Sequence, residues 1–167
     1  MSVVSDTSPG PSPTADGQPD LATTARDGAG LGRSAFSVRF HELDPNGHVN
    51  HGVYANYFET ARIELLDQLG LGPTALGARG VHLVVVELRI RFHRPAHAGD
   101  RLEVVTRVQE LRRASSWWHQ GLYRDEELLS EAEVRSAATD ATGRPTAPPA
   151  DVVAALQRLI ADPGRTP

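Results

Sequence analysis

The sequence predicts an α+β domain in which one long helix lies against one curved antiparallel sheet. Three observations carry this. A single long stretch, about Gly52 to Leu69, repeats its apolar residues with a helical period. Five other stretches alternate apolar and polar residues or run β-branched, as strands do. One of these precedes the helix and four follow it in succession, which is the pattern of an antiparallel meander rather than of repeated βαβ units.

Taken in order, residues 1–33 are rich in Pro, Gly, Ser, Thr, Asp and Ala and nearly free of large apolar side chains. Such a segment buries too little area to offset its ordering entropy, so a disordered tail is expected, with a docking tail for a partner enzyme as the functional alternative. Ala35 to Phe40 alternates strictly and puts Phe36, Val38 and Phe40 on one strand face. In the helix, Tyr54, Phe58, Ala61, Leu65 and Leu69 form one apolar stripe, with Glu59, Arg62, Glu64 and Asp67 mostly off it. Asn50 suits the N-cap and Gly70 the residue after the helix, and Gly72-Pro73 stops continuation. Thr74 to Leu76 adds a short turn.

Val81 to His93 is a long aliphatic run, in which Val84, Val86, Leu88, Ile90 and Phe92 are expected to face the core. Arg101 to Leu111 places Leu102, Val104, Thr106 and Val108 inward. Ser116 to Tyr123 carries Trp117 and Trp118 on opposite faces. Leu128 to Ala138 sets Leu128, Ala132 and Val134 against Glu131, Glu133 and Arg135. Turns at 95–100, 112–115, 124–127 and 142–145 separate the strands. A short helix over Asp151 to Ala161 closes a single domain of residues 34–162, and residues 163–167 fray.

Composition narrows the function. The net charge of −4 argues against nucleic acid or an anionic membrane surface as the main partner. The absence of cysteine removes disulfides, thiolate nucleophiles and Cys-ligated metals. No apolar run is long enough to span a membrane and no secretory signal is visible, which fits a cytoplasmic protein.

The chemistry concentrates between the first strand and the helix, in His41-Glu42-Leu43-Asp44-Pro45-Asn46-Gly47-His48-Val49-Asn50-His51-Gly52-Val53-Tyr54. Asp44-Pro45-Asn46-Gly47 is a strong turn signal, and a structural turn is the plain reading of Asp44. His41, His48 and His51 have the right chemistry for zinc, but spacings of seven and three match no familiar ligand pattern, so no metal site is assigned.

This loop, with Asp44, Gly47, Val49, Asn50-His51 and Tyr54 in register, resembles that of the 4-hydroxybenzoyl-CoA thioesterase-like family of acyl-CoA and acyl carrier protein thioesterases. Three more stretches match its motifs in the right order: Tyr57-Phe58-Glu59-Thr60-Ala61-Arg62, Arg91 to Asp100, and Asp140-Ala141-Thr142-Gly143-Arg144-Pro145. The resemblance implies the hotdog fold, a five-stranded antiparallel sheet wrapped around one long central helix, plus here a short C-terminal helix. It also implies thioester hydrolysis without a cofactor, coenzyme A or phosphopantetheine being part of the substrate, by a homodimer or homotetramer. Glu42-Leu43-Asp44 departs from the family's frequent Asp-x-Asp. His48-Val49-Asn50 is typical of long-chain branches and His51 of the small-acyl branch, which leaves the acyl group open.

Within the resemblance, Asp44 attacks directly or activates water as a general base. Backbone amides around Asn50 to Gly52, at the positive helix end, would hold the oxyanion. His51 would orient Asp44 or donate to the leaving thiolate. His48 and Asn50 would orient the loop or contact the acyl group, Gly47 and Gly52 would admit the thioester carbonyl, and Tyr54 would wall the pocket. Arg89, Arg91, Arg94, Arg112 and Arg113 are the candidates for coenzyme A phosphates or an acidic carrier protein, and a solvated sheet face is their plainer reading. The catalytic candidates are thus Asp44, His51 and Asn50, and the substrate-binding candidates Gly47, His48, Gly52, Tyr54, Arg91 and Arg94. Release of a fatty-acid or polyketide chain is one expected use. A non-catalytic acyl-thioester-binding module and a hotdog hydratase or dehydratase are the alternatives, though the hydratase would want an Asp-x-Asn-x-x-His pair that this loop does not spell.

Overall fold

The computed structural model describes residues 32–160. Apart from Gly32 and Arg33, the expected tail over 1–33 lies outside them, as does the expected frayed end. Five strands, β1 Gly32–Ser37, β2 His82–Phe92, β3 Arg101–Arg112, β4 Ser115–Arg124 and β5 Glu127–Thr139, form one antiparallel sheet. The helices are α1 His51–Gln68, α2 Pro73–Ala78 and α3 Ala150–Ile160. Among the described residues no helix is long and apolar enough to cross a membrane.

Helix α1 begins and ends where local chemistry puts it. Asn50 Oδ1 accepts the Gly52 N–H at 2.9 Å, capping one of the amides that have no partner inside the helix. Gly70, at φ +68°, supplies the left-handed residue that stops it. Tyr54, Phe58, Ala61 and Leu65 of the expected stripe are buried against β1 and β3, while Leu69, the last, is 37% exposed.

Strand order departs from the expected meander. It is β1-β3-β4-β5-β2, so β2 pairs with β5 rather than with β3. The pairing sets Arg89 opposite Glu133 and Arg91 opposite Glu131, cross-strand neighbours of opposite charge. The chain from His93 to Asp100 therefore crosses the end of the sheet instead of making a hairpin. That crossing is about 14 Å, three strand spacings, well within reach of eight residues.

The new order overturns the expected burial of β2. Val84, Val86, Leu88 and Phe92 are 42–50% exposed, and Ile90 alone of that set is partly buried. A bulge between Val85 and Glu87 breaks the alternation, and α1 covers β1 and β3 rather than this edge.

Three further expectations fail for tertiary reasons. Phe40 does not continue the first strand face. The chain turns into a 3-10 turn at Phe40–Glu42, held by Glu42 Oε2 accepting the Arg39 N–H at 2.6 Å, and Phe40 is 86% exposed. Leu128 yields its inward place to fully buried Leu129, because the β4–β5 register shifts at Leu122/Tyr123. Arg62, read as off the stripe, is buried beneath α1. It reaches Gln120 on β4, whose amide also donates to the Phe58 carbonyl of α1 and to Thr106 of β3, each at 2.8 Å. Trp118 is core, and Trp117 lies on the other face beneath the guanidinium of Arg112.

Candidate active site

The Asp44 loop is a tight, self-bonded turn. Asp44 Oδ1 accepts the Asn46 N–H at 2.8 Å and the His48 N–H at 3.2 Å, while Oδ2 has only a long 3.5 Å approach from the Asn46 amide. The Asp44 N–H donates to the His48 carbonyl, and Gly47, at φ +78°, closes the turn in a conformation few other residues adopt. Partial desolvation raises the Asp44 carboxyl, but the two backbone donors, the Asn46 amide and the nearby His48 outweigh it. The net effect holds the group below the ordinary carboxylate value, so it is an anion at neutral pH.

The loop is tied to the sheet crossing. The Val49 N–H donates to the Ala96 carbonyl, and the Ala96 N–H donates to the Tyr54 hydroxyl at 3.1 Å. His48 and His97 pair edge to face at 5.1 Å, and the Asp100 carboxylate anchors the crossing through the His97 N–H and Arg124. The Tyr54 ring meets Phe92 edge on at 5.1 Å. Burial raises the Tyr54 phenol, which therefore stays protonated at neutral pH.

These ties create an open cleft of about 290 Å³. Asp44, His48, His51, Tyr54 and Arg94, all read as candidates from the sequence, line it together. Asn50 lies at the helix entrance with its side-chain oxygen committed to the cap. Of the helix-start amides, Asn50 N–H donates to the Glu42 carbonyl and Gly52 N–H to Asn50. Among the described residues, His51 N–H alone of these three has no acceptor. Gly52 has Asn50 Oδ1 about where its own Cβ would contact it, at 3.3 Å, and Gly47 faces open space.

Arg91 is not brought to this cleft. It is on β2, where it donates to Glu131 at 2.9 Å. Arg89 likewise meets Glu133 and Arg112 meets Glu110, so intrachain carboxylates neutralise much of the predicted arginine set. The cleft also contains Val49, Phe92, His93 and Pro95, which the sequence did not assign to the site. The motif from Arg91 to Asp100 was visible, but nothing local says that it packs on the Asp44 loop.

The profile of the thioesterase-like superfamily matches residues 38–156, a span that runs from the end of β1 into α3. The chain belongs to this superfamily. Its architecture is the hotdog fold, and its family membership makes it a thioester hydrolase. It is 32% identical over 130 residues to the acyl-CoA thioester hydrolase YbgC of Escherichia coli O6:H1, covering 77% of this chain and 97% of that protein. It is 33% identical over 119 residues to the chloroplastic acyl-acyl carrier protein thioesterase ATL2 of Arabidopsis thaliana, a match that spans 70% of this chain and 63% of the plant protein. The solved hypothetical protein TT1821 of Thermus thermophilus superposes with a TM-score of 0.74 at 35% identity, over 79% of this chain and 99% of that one. The thioesterase-like segment thus includes both the Asp44 loop and the crossing that completes the cleft.

Proposed function

We propose that the protein hydrolyses an acyl thioester of coenzyme A or of an acyl carrier protein in the Asp44 cleft. The observation that carries this is that the ionised Asp44 and His51, the first residue of α1 at its positive end, line the same opening, and that among the described residues the His51 N–H has no acceptor. Asp44 Oδ1 is held by two amides, which leaves Oδ2 to take a proton from water or to attack the thioester carbon itself. The His51 N–H receives the developing oxyanion, an interaction typically worth ~3 kcal/mol in the transition state. The His51 ring orients Asp44 or protonates the departing thiolate. His48, Tyr54 and Arg94 wall the approach, and Asn50 acts by fixing the helix start. Water and these side chains suffice, and no cofactor is required. The names of the relatives support the substrate class. Release of free thiol from a panel of acyl-CoA and carrier-bound substrates, fatty and polyketide-like, tests it. Turnover of at least one acyl group is expected, and acyl-thioester binding with no turnover anywhere in the panel would instead make the protein a binding module.

The working unit in this reading is a homodimer through β2. Among the described residues the outer edge of β2 has no strand beside it, and Val84, Val85, Val86, Leu88 and Phe92 are exposed along it. An apolar open edge pairs readily with a second copy, and a two-fold axis then runs the strands antiparallel. The His82 end of one β2 comes beside the Phe92 end of the other, so each copy walls the other's cleft. Leu88→Arg is expected to convert the dimer to monomer by light scattering and to lower turnover. Unchanged mass and rate would remove this interface, and a tetramer would show a second one.

A further inference from the structure

Arg62 is a largely buried cation whose charge has no counter-ion among the described residues. It is 8% exposed, and among those residues one of its five N–H donors reaches a protein acceptor, Gln120 Oε1 at 2.6 Å, while its other nitrogens are not wholly cut off from solvent. Among the described residues no carboxylate lies within ion-pair distance of it. Burial pulls the guanidinium down to about 10, with Glu59 opposing, so it remains charged at neutral pH. Buried charges are costly unless paired, and proteins seldom leave them so.

Arg62 lines a cavity of about 210 Å³ between α1, α2 and β2. Leu66, Leu76, Val81 and Trp118 make its apolar wall, and Ser136 adds a hydroxyl. Glu59 and His82 also line it, but both side chains are exposed, where solvent and salt screen them. The site is not the Asp44 cleft of the same chain, since Arg62 lies about 16 Å along α1 from His51. Apolar walls around one unpaired guanidinium match a specific chemistry. A carboxylate can take two parallel bonds from the planar fork while its hydrocarbon chain covers the walls.

We infer that this cavity binds the carboxylate of a short hydrocarbon chain, paired with Arg62. Two sources offer that group. One is a free carboxylic acid, the hydrolysis product included. The other is the far end of a dicarboxylic acyl thioester, entering from the cleft of a β2-paired partner. The binding itself is independent of the proposed hydrolysis, and the second source rests on it.

Calorimetric titration of the full chain with octanoate and with octan-1-ol tests the pocket, because the two share a tail and differ in charge. Octanoate is expected to bind about tenfold or more tightly than octanol, the usual worth of a charge-assisted pair. Arg62→Met is expected to lose that margin. Ile63→Phe fills the rim of the cavity while keeping the Arg62–Gln120 bond, so it carries the test even if Arg62→Met does not fold, and it too is expected to lose octanoate. Equal affinity for octanol and octanoate, or octanoate binding to Ile63→Phe as to the parent, overturns the assignment. The sources separate in hydrolysis of suberoyl-CoA against octanoyl-CoA. A suberoyl preference that Ile63→Phe abolishes identifies the far-end carboxylate, and octanoate binding without such a preference identifies the free acid. A protein that turns over neither thioester but still titrates with octanoate keeps the pocket and loses only the hydrolysis.

Discussion

Asp44→Asn is expected to lower kcat for acyl-thioester hydrolysis by a factor of about 10² to 10⁴, the range for losing a positioned base, while leaving thermal unfolding unchanged. The substitution isolates charge from structure. An asparagine keeps the Oδ1 that accepts the Asn46 and His48 amides, so the turn survives, but it cannot take a proton or attack. The pH dependence follows the same group. Its carboxyl is held below the ordinary 3.8, so in the proposed mechanism the base is competent throughout the neutral range and is lost only as pH falls through that lowered value. The small stability its hydrogen bonds contribute has the same sign: present above the unfolded value, lost below the folded one. An acid limb between about pH 5 and 7 would therefore report a group other than Asp44. Wild-type rates in Asp44→Asn on every substrate would end the proposed mechanism.

Gln120→Leu is expected to destabilise the fold by about 3 kcal/mol, lowering Tm by roughly 6–12 °C for a chain of this size. Gln120 is fully buried and makes three bonds, to the Phe58 carbonyl, Thr106 Oγ1 and the Arg62 guanidinium. It thereby ties α1 to β4 at two points and β4 to β3. Leucine fills similar space but leaves all three partners without it, one of them charged. A loss near the low end of the range for broken buried charge pairs is expected, because Arg62 also faces the cavity. Adding Arg62→Met should recover much of it, since removing both partners costs less than orphaning one. Chemical denaturation of the two variants checks both statements. A loss under about 1 kcal/mol in Gln120→Leu would show that the network is not what holds the helix to the sheet.

The arginine at the centre of that network illustrates where sequence reading stopped. Its position on α1 was visible from the helical period, which set it mostly off the apolar stripe. Only the approach of β4 beneath α1 made burial possible. The same holds for Phe40, whose alternation with Phe36 and Val38 was genuine until the chain turned at Glu42. Leu128 and Leu129 exchanged places through one register shift opposite Tyr123, which no local pattern encodes. Conversely, the Asp44 turn, the Asn50 cap and the Gly70 stop all stand where they were read. Five of the nine site candidates line the cleft, and Arg91 is spent on Glu131 because β2 pairs with β5.

What the amino-acid sequence determined alone was what depends on neighbours a few positions away. The long helix with its cap, the Asp44 turn, the number of strands and the inward faces of β3 all arise from local hydrogen bonding and from periodicity. The tertiary structure decided which strands pair, and through that everything at long range. Among the described residues it left β2 as an open apolar edge, carried His93 to Asp100 across the sheet to complete the cleft, and enclosed Arg62. The reason is that strand order is settled by contacts dozens of residues apart. An alternating pattern states which side chains can be buried together, but not which partner strand will lie beside them.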